Sequence, residues 1–429
     1  MSDPVLGFAG MTHLGLVSGV CAAEKGFQTV CFDPAASRVA ALARRELEVS
    51  EPQLDDLVSK NASRLSFTSK PADLAACDVI YVAPDVPTDD QGRSDLGPIN
   101  ALLDIVVGSA RADATIVLLS QVPPGFTRGR QRPGRTLIYQ VETLIFGRAV
   151  ERALKPERYI VGCADPAQPL PASYAAFLAA HGCPVLPMRF ESAELAKISI
   201  NMFLVASVTT ANTLAELCEK IGADWSEIVP ALKLDKRIGP HAYLAPGLGI
   251  AGGNLERDLA TVCSFADRYG TDANVVRAWI ASSRHCRDWA VRTIRSVLLD
   301  ANPGATVAVW GLAYKENTHS VKNSPSLSTI AQLPGARLRL HDPQVSASVA
   351  AHPNAEGAPD ALAAASGADA LMILTPWPHY RGIPPSQIAK VLRGRIVLDP
   401  YAVLDHKDAF AAGLDIFTLG KPPLRAKHR

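Results

Sequence analysis

The chain lacks most features that would place it outside the ordinary globular proteins. Its 429 residues carry 43 Lys and Arg against 42 Asp and Glu, so the net charge of +1 gives no reason to expect a nucleic acid or a membrane surface as partner. No uninterrupted apolar run of 18 or more residues is present, and the start, "MSDPVLGFAG", lacks the basic and apolar segments of a secretion signal. We therefore expect a cytoplasmic protein without a membrane-spanning segment.

Cysteine patterns typical of disulfide frameworks and metal sites are also missing. The eight cysteines are scattered along the chain, and no CxxC spacing occurs. A disulfide framework is not expected in a long chain without a secretion signal, and metal ligation by cysteine needs closely spaced thiols. We interpret the cysteines as reduced thiols packed in hydrophobic cores, and we predict no metal site.

Apolar runs that alternate with helical stretches occupy the first part of the chain. Strands are predicted by "VLGFAG", "QTVCFD", "DVIYVAP", "ATIVLLS", "RTLIYQ" and "RYIVG", and "PINALLDIVVGSA" predicts one of the helices between them. This alternation is typical of a doubly wound sheet with parallel strands. We predict a first Rossmann-like domain over residues 1–190.

The pattern changes after residue 190. "ESAELAKISINMFLVASVTTANTLAELCEKIGA" predicts one long helix, and further helical stretches follow to about residue 300. Strands are predicted again by "ATVAVWGLAY", "ARLRLHDP", "ADALMILTPW" and "RGRIVLDP". The predicted fold class is α/β, with two Rossmann-like doubly wound α/β domains joined by a central long-helix domain. The central domain would cover residues 191–300, and the C-terminal domain would cover residues 301–429.

A glycine turn follows the first predicted strand and opens the first helix. It begins at Gly10, continues through Thr12 and Leu14, and ends at Gly15, while Asp33 ends the next strand. A dinucleotide fingerprint has the spacing GxGxxG with an acid on the second strand, so Thr12 stands where the middle glycine is expected. The turn alone is a weak signal, which an ordinary strand-to-helix connection also fits. If it binds a dinucleotide, Asp33 favours NAD, because a carboxylate bonds ribose hydroxyls and repels a 2′-phosphate.

Longer segments resemble a known family. "APDVPTDDQGRSDL", "SQVPPGFT" and "VETLIFGRAVERALKPERYIVG" are followed by "LDKRIGPHAYLAPGLGIAGGNLERD", "GLAYKENTHSVKNSPSL" and "DALMILTPWPHYR". Together with the long helix, these segments resemble the UDP-glucose/GDP-mannose dehydrogenase family over nearly the whole chain, in the same order. The resemblance implies NAD as cofactor, a nucleotide sugar as substrate, and a homodimer built around the long helix. The family oxidises the sugar C6 hydroxymethyl twice, through an aldehyde, to a uronic acid.

The resemblance also implies roles for individual residues. Lys197 and Asn201 match the lysine and asparagine that hold the reacting oxygen and take up its proton, and their i, i+4 spacing puts them on one helix face. Asp258 matches an aspartate that positions a water or acts as a base. Glu142 matches a glutamate that helps water to hydrolyse a thioester. That thioester forms on a cysteine in the second oxidation, because an aldehyde needs a nucleophile before it can give up another hydride.

The chain departs from the family pattern at the covalent step. Against the family's "GGSCFPKD", Asn254 in "GGNLERD" takes the place of the cysteine, and Cys263 lies nine residues further along, which is roughly two and a half helical turns. Cys263 is therefore better explained as a core residue. Phe146 takes the place of a second glutamate, and Gln121, predicted near the cofactor, takes the place of a threonine.

Further positions match the family's nucleotide-sugar site. Arg237 matches an arginine donated across the dimer interface. The segment "YLAPGLGIAGG", residues 243–253, resembles the family's glycine loop and is expected to hold sugar and phosphates through its backbone. Lys322 and Tyr401 stand where the family has arginines, and a lysine lacks the fork geometry of a guanidinium. The predicted substrate-binding residues are Arg237, Gly249, Gly252, Gly253, Lys315, Lys322 and Tyr401.

Four hypotheses about function follow. The chain is a dehydrogenase that moves two electrons and stops at a carbonyl, with Asn254 bonding the sugar. Alternatively, a hydrated aldehyde gives up a second hydride and the product is a uronic acid. A third hypothesis is a redox-neutral epimerase that oxidises and then reduces its substrate with the same NAD. The fourth is a relative that binds nucleotide sugars without turnover.

Overall fold

The computed structural model describes residues 3–89 and 92–426, and the chain forms two compact units. The first unit ends at Ile200 and the second begins at Asn201, so the boundary lies inside one long helix. The second unit combines residues 201–300 of the predicted central helical domain with the predicted C-terminal α/β domain, and residues 191–200 belong to the first unit. The division at residues 190 and 300 stays a prediction.

Strands are distributed over two sheets in the described part of the chain. The first sheet contains eight strands in the order β3-β2-β1-β4-β5-β6-β7-β8, and the second contains six in the order β11-β10-β9-β12-β13-β14. In chain order the strands of the first sheet are β1 Leu6–Ala9, β2 Thr29–Phe32, β3 Leu65–Thr68, β4 Val79–Val82, β5 Thr115–Leu118, β6 Thr136–Gln140, β7 Tyr159–Cys163 and β8 Val185–Arg189. Those of the second are β9 Thr306–Trp310, β10 Arg337–His341, β11 Ala355–Gly357, β12 Ala370–Ile373, β13 Ile396–Leu398 and β14 Asp415–Phe417.

Helices cover the sheets and form the segment between them. Those up to the long helix are α1 His13–Glu24, α2 Ala36–Ala43, α3 Leu54–Lys60, α4 Gly97–Ser109, α5 Ala149–Leu154, α6 Ala172–Ala179 and α7 Phe190–Ile221. The middle segment contains α8 Trp225–Leu234, α9 Asn254–Tyr269, α10 Asn274–Arg287 and α11 Trp289–Ile294. The last helices are α12 Pro325–Ala331, α13 Ala361–Ala365, α14 Pro378–Arg381, α15 Pro385–Val391 and α16 His406–Ala411.

Both sheets have the doubly wound topology that the alternating pattern predicts. The order 3-2-1-4-5-6 is that of dinucleotide-binding sheets, and all neighbouring strands are parallel except β6 and β7. Strands β1, β4 and β5 are buried at every position, as expected for strands covered by helices on both faces. In β4, Val79 and Tyr81 pack into one hydrophobic core, and Ile80 and Val82 pack into the core on the opposite face. The predicted fold class is therefore confirmed.

The long helix α7 is the predicted one, although it begins one residue earlier, at Phe190. By length and composition it is apolar enough to cross a membrane. One such helix is weak evidence of a span, since the core helix of a soluble protein passes the same test. The expected absence of a membrane-spanning segment stays a prediction.

Candidate active site

The glycine turn between β1 and α1 has the backbone geometry that a dinucleotide requires. Gly10 has φ +94°, and a Cβ atom there would lie 2.9 Å from the backbone nitrogen of Pro84. A Cβ atom on Gly15 would lie 1.9 Å from the carbonyl oxygen of Gly10. Only glycine permits this approach of the helix to the strand. Leu14 is buried, so it can offer a ligand only its backbone.

The carboxylate of Asp33 fastens the glycine turn to the end of β2. It is 2% exposed, and its Oδ2 atom accepts hydrogen bonds from the Met11 amide at 2.8 Å and from the Arg38 guanidinium at 3.1 Å. Its Oδ1 atom accepts from the Ala35 amide at 2.9 Å. A carboxylate has about four acceptor positions, so one remains for a ribose hydroxyl. The ribose contact itself stays a prediction.

Asp85, which the motif does not contain, also holds this turn. The Asp85 carboxylate accepts from the backbone amide of His13 at 2.9 Å, and the Asp85 amide donates to the Thr12 hydroxyl at 2.8 Å. Sequence reasoning missed Asp85. Its position just after β4, the strand beside β1, was the available signal, because ligands of such sheets bind outside the carboxyl ends of the strands where the order reverses.

The side chain of His13 joins the turn to a second loop. Its Nε2 atom lies 2.8 Å from Oε1 of Glu51, a carboxylate with no exposed side-chain surface. Glu51 also accepts from the amides of Gly147 and Ala149, and the ring of Phe146 stacks on His13 with centroids 4.1 Å apart. Phe146 is half exposed. Where the resemblance predicts a glutamate, an aromatic ring therefore lies against the nucleotide turn.

Gln121 lies in the loop that follows β5. The carboxylate of Glu194 in α7 holds this loop, because it accepts from the amides of Gly125 at 2.6 Å and Thr127 at 2.8 Å. Glu194 is fully buried, and burial raises the pKa of its carboxyl group against these hydrogen bonds. The loop is thus fixed, and the cofactor role of Gln121 stays a prediction.

Lys197 and Glu142, both predicted as catalytic, form a contact in the first unit. The Lys197 ammonium lies 3.2 Å from Oε2 of Glu142 and donates to the Glu142 carbonyl oxygen at 3.0 Å. Their side chains are 15% and 17% exposed. The Leu144 amide donates to the other carboxylate oxygen of Glu142. The result is a partly buried ion pair that a ligand can still reach.

A second predicted pair, Asn201 and Asp258, forms in the second unit. The Asn201 amide donates to Oδ2 of Asp258 at 2.5 Å, and Asp258 is 1% exposed. The guanidinium of Arg257 lies 3.2 Å from Oδ1 of Asp258. A buried carboxylate needs such partners, because its desolvation is otherwise costly. Arg257 was not predicted, although an arginine adjacent to the predicted acid was a visible signal.

The glycine loop before α9 is packed. Gly249 has φ +78°, and a Cβ atom there would lie 2.4 Å from the Ser283 carbonyl oxygen. A Cβ atom on Gly252, where φ is +84°, would lie 3.1 Å from the ring of Tyr314. Both glycines therefore have positive φ values and close contacts that disfavour a side chain, and the loop is packed.

Tyr401 packs against the start of the same loop. A Cβ atom on Gly247 would lie 3.4 Å from the Tyr401 ring. Burial raises the pKa of Tyr401, and the nearby backbone of Leu248 acts in the opposite direction. The ammonium of Lys315 lies over the Tyr314 ring, 5.7 Å from its centroid.

Glu256 in the first turn of α9 connects two residues that each hold a carbonyl of the loop. Arg287 donates to Oε1 of Glu256 at 3.1 Å and to the Ile250 carbonyl at 3.0 Å. Asn323 donates to Oε2 of Glu256 and to the Gly252 carbonyl, the latter at 2.8 Å. We call Glu256, Arg287 and Asn323 the loop clamp. Burial raises the pKa of Glu256, although Arg287 and Asn323 act to lower it.

The loop ends at Asn254, the first residue of α9. Its side chain is exposed, and among the described residues its carboxamide makes no hydrogen bond. Gly253 precedes it and is partly buried. The loop clamp therefore supports a free amide group at the helix start. Cys263 lies in a hydrophobic cluster, and burial raises its thiol pKa.

Arg237 and Lys322 are two other predicted residues of the second unit. Arg237 has 89% of its side chain exposed and pairs with Asp235 at 2.6 Å. The backbone carbonyl oxygen of Lys322 accepts a hydrogen bond from the Gly252 amide at 3.2 Å.

All eight cysteines are free thiols, and the described residues contain no group of His, Cys, Asp and Glu able to hold a metal ion.

The second sheet repeats the features of the first nucleotide turn. Gly311 follows β9 with φ +96°, as Gly10 follows β1. Asp342 follows β10 and accepts from the amides of Leu312 at 2.6 Å and Ala313 at 3.0 Å, as Asp33 accepts from Met11. Two doubly wound sheets, each with a glycine turn after its first strand, are typical of a protein with two nucleotide-binding regions.

Comparison with known proteins supplies the family. Its NAD binding domain matches residues 5–176, its central domain residues 191–284 and its UDP binding domain residues 308–406. The chain belongs to the UDP-glucose/GDP-mannose dehydrogenase family, which consists of NAD-dependent nucleotide-sugar dehydrogenases that act on an alcohol carbon. NAD is the cofactor and a nucleotide sugar is the substrate. The backbone of the Gly10–Gly15 turn, with Asp33, fits the cofactor.

Individual relatives are similar over nearly their whole length. UDP-glucose 6-dehydrogenase TuaD of Bacillus subtilis is 30% identical over 434 residues, which cover 97% of this chain and 93% of the relative. UDP-glucose 6-dehydrogenase of Pseudomonas aeruginosa is 31% identical over 416 residues, 91% of each chain. The structure of a UDP-glucose dehydrogenase from Pyrobaculum islandicum is similar with a TM-score of 0.83 at 28% identity. The matched region covers 95% of this chain and 96% of the Pyrobaculum islandicum chain.

Proposed function

We propose that the protein is an atypical nucleotide-sugar dehydrogenase that removes two electrons from its sugar and releases a carbonyl product. NAD, when bound, accepts the hydride. Asp258 takes the hydroxyl proton, and Asn201 and Lys197 hold the oxygen from which that proton leaves. The Asn201–Asp258 and Lys197–Glu142 contacts support these roles, because each places a donor beside a carboxylate.

The observation that carries the proposal is the side chain at the start of α9. The family pattern calls for a thiol there, and this chain presents the exposed, unpartnered carboxamide of Asn254. A carboxamide donates and accepts hydrogen bonds, but it is not a nucleophile that forms a thioester. Cys263 does not replace it, since that thiol is buried in another cluster. Asn254 therefore binds a hydroxyl or carbonyl of the sugar.

The remaining predicted residues bind the nucleotide sugar in this proposal. The backbone of Gly249, Gly252 and Gly253 faces its phosphates and sugar, and Lys315 and Lys322 supply positive charge. Tyr401 supports the start of the loop at Gly247. Because guanidinium forks are replaced at two of these positions, we expect a ligand whose base or sugar differs from that of UDP-glucose.

The test combines cofactor stoichiometry with product mass. The purified protein is incubated with NAD and a panel of UDP-, GDP- and dTDP-sugars, and NADH and sugar product are measured in the same sample. One NADH per sugar and a product two mass units lighter support the proposal. Two NADH and a uronate show that water replaces the thiol. Turnover without net NADH indicates an epimerase, and binding without turnover indicates a non-catalytic relative.

A substitution makes the test specific to Asn254. Asn254→Cys restores the thiol at the start of α9, so we expect a second NADH and some uronate from the same sugar. Asn254→Ser is the matched control, because it changes size and polarity without adding a nucleophile of comparable strength. Cys263→Ala should leave the stoichiometry unchanged. The proposal would be contradicted if the unchanged protein formed a uronate and Cys263→Ala did not.

We also propose a homodimer and a cytoplasmic location. Apolar side chains of α7 are exposed, with Phe203 77%, Leu217 51% and Ile221 66% accessible. A covered interface on this helix explains them, and the predicted role of Arg237 across the interface needs such a dimer. Phe203→Glu should convert a sedimenting dimer into a monomer, while Phe410→Glu, on α16, should not. Unaltered sedimentation of Phe203→Glu would exclude this helix face, and cell fractionation tests the location.

A further inference from the structure

A carboxylate of the chain itself lies at the amino end of α1. Oδ2 of Asp85 accepts from the His13 amide at 2.9 Å, and the Asp85 amide donates to the Thr12 hydroxyl at 2.8 Å. His13 is the first residue of a 12-residue helix, so its amide is one of the donors that the helix leaves without an internal partner. Asp85 satisfies that donor with a negative charge.

The same amides are the donors that a dinucleotide needs. In doubly wound sheets the pyrophosphate lies at the amino end of the helix that follows the glycine turn, in the crevice where the strand order reverses. The turn follows β1, Asp85 follows β4, and these two strands are neighbours at that point of the sheet. Asp85 therefore accepts the hydrogen bond of the His13 amide, which is a donor that the cofactor phosphates require.

The charges around the turn distinguish Asp85 from its neighbours. Asp33 is paired with Arg38 at 3.1 Å, and Glu51 is bonded to His13 at 2.8 Å. Among the described residues, Asp85 contacts no cation, and it lies on the exposed side of the turn. Its charge is thus balanced mainly by the helix dipole, which is the interaction that also favours the pyrophosphate.

We propose that Asp85 is an affinity-determining residue for the dinucleotide, and that its carboxylate must leave the His13 amide before the pyrophosphate binds. The backbone bond to Thr12 keeps Asp85 in place, so rotation of its side chain is sufficient. The carboxylate then remains near the cofactor and repels it, which weakens binding. This inference rests on the nucleotide turn proposed above, and it is independent of which sugar is oxidised and of how many electrons move.

The experiment measures NAD binding without any sugar. Asp85→Asn keeps the size and an acceptor for the His13 amide while it removes the charge. We expect it to bind NAD about two- to fivefold more tightly than the unchanged protein at low ionic strength, as measured by titration calorimetry. The gain should shrink at high salt, because exposed charges are screened. Asp85→Ala should show the same direction of change.

A matched control separates this effect from general surface charge. Asp113 is an exposed carboxylate of the same unit, pairs with Arg111 at 3.3 Å, and lies before β5, at the opposite end of the strands. Asp113→Asn should change the affinity for NAD by less than twofold. Equal or weaker binding by both Asp85 variants, with the unchanged protein still binding NAD, would overturn this inference alone. Failure of all variants to bind NAD would overturn the nucleotide turn as well.

Discussion

Glu256→Gln tests whether the loop clamp holds the glycine loop before Asn254. A glutamine has one acceptor oxygen, so its amide group must face either Arg287 or Asn323, both of which are donors. The variant therefore loses one of two hydrogen bonds that the Glu256 carboxylate accepts. One comes from Arg287 at 3.1 Å, and the other comes from Asn323. The Arg287 and Glu256 side chains are 21% and 26% exposed, so solvent screens the pair only in part.

The magnitude follows from these partners. Hydrogen bonds to charged groups contribute roughly 1.5–3 kcal/mol, and partial exposure reduces this to about 1–2 kcal/mol here. For a unit of roughly 150–250 residues, that loss lowers Tm by about 2–8 °C. Because Arg287 and Asn323 also hold the Ile250 and Gly252 carbonyls, the loop should open more often. Amide exchange at Gly252 should accelerate about five- to thirtyfold.

Scanning calorimetry and hydrogen exchange with mass spectrometry measure the two effects. Glu356→Gln is the control, because Glu356 forms an ion pair with Arg339 at 2.9 Å while 69% of its side chain is exposed. That substitution should cost less than about 0.5 kcal/mol. A lower Tm in Glu256→Gln without faster exchange at Gly252 would refute the clamp. An unchanged Tm would refute the assigned contribution of the ion pair.

Three further substitutions test individual steps of the structural interpretation. Gly249→Ala should destabilise the protein by about 2–3 kcal/mol in urea unfolding, because φ is +78° and the new Cβ would lie 2.4 Å from the Ser283 carbonyl oxygen; a neutral result would mean that the loop is not packed. Gly15→Ala should abolish NAD binding in calorimetry, since its Cβ would lie 1.9 Å from the Gly10 carbonyl oxygen, and retained affinity would exclude this turn as the cofactor site. Burial raises the pKa of Asp399 from 3.8 to about 6, so the folded state binds a proton at this carboxyl group more tightly than the unfolded state does. The protonated carboxyl group therefore stabilises the folded state at low pH, and this stabilisation is lost as the pH rises from about 4 to about 6. The difference in unfolding free energy between the unchanged protein and Asp399→Asn should therefore shift by about 2.4 kcal/mol in favour of the variant between pH 4 and pH 7, and parallel pH curves would contradict the assignment.

Strand prediction succeeded where strands are buried and failed at the edges of the sheets. β1, β4 and β5 form continuous apolar runs because both faces are covered. The strands β3, β8, β11 and β14 were not predicted. The first three have mostly exposed or half-buried positions, and β14 has only three residues, so none of them produces a distinctive apolar pattern. An edge strand is identified from its pairing with a neighbouring strand, and the pattern of apolar residues along the chain does not show that pairing.

The candidate site divides in the same way. Lys197, Asn201, Glu142 and Asp258 were found because the resemblance covers the segments that contain them, and the structure brings them together as two pairs. Their proposed catalytic roles are still to be tested. Asn254 was singled out from the sequence, because the resemblance implies a cysteine at that position and a different residue there is visible without coordinates.

The sequence by itself determined the α/β architecture, the long helix, the family and the asparagine at the start of α9. These features depend on local periodicity or on the identity of residues in recognisable segments. Only the tertiary structure decided that Asp85 occupies the His13 amide and that Glu256 joins Arg287 to Asn323. These partners are 72, 31 and 67 residues apart in the chain, so no local pattern encodes their contact. Long-range pairing is set by how the strands and helices pack, and this chain's cofactor affinity and loop rigidity depend on it.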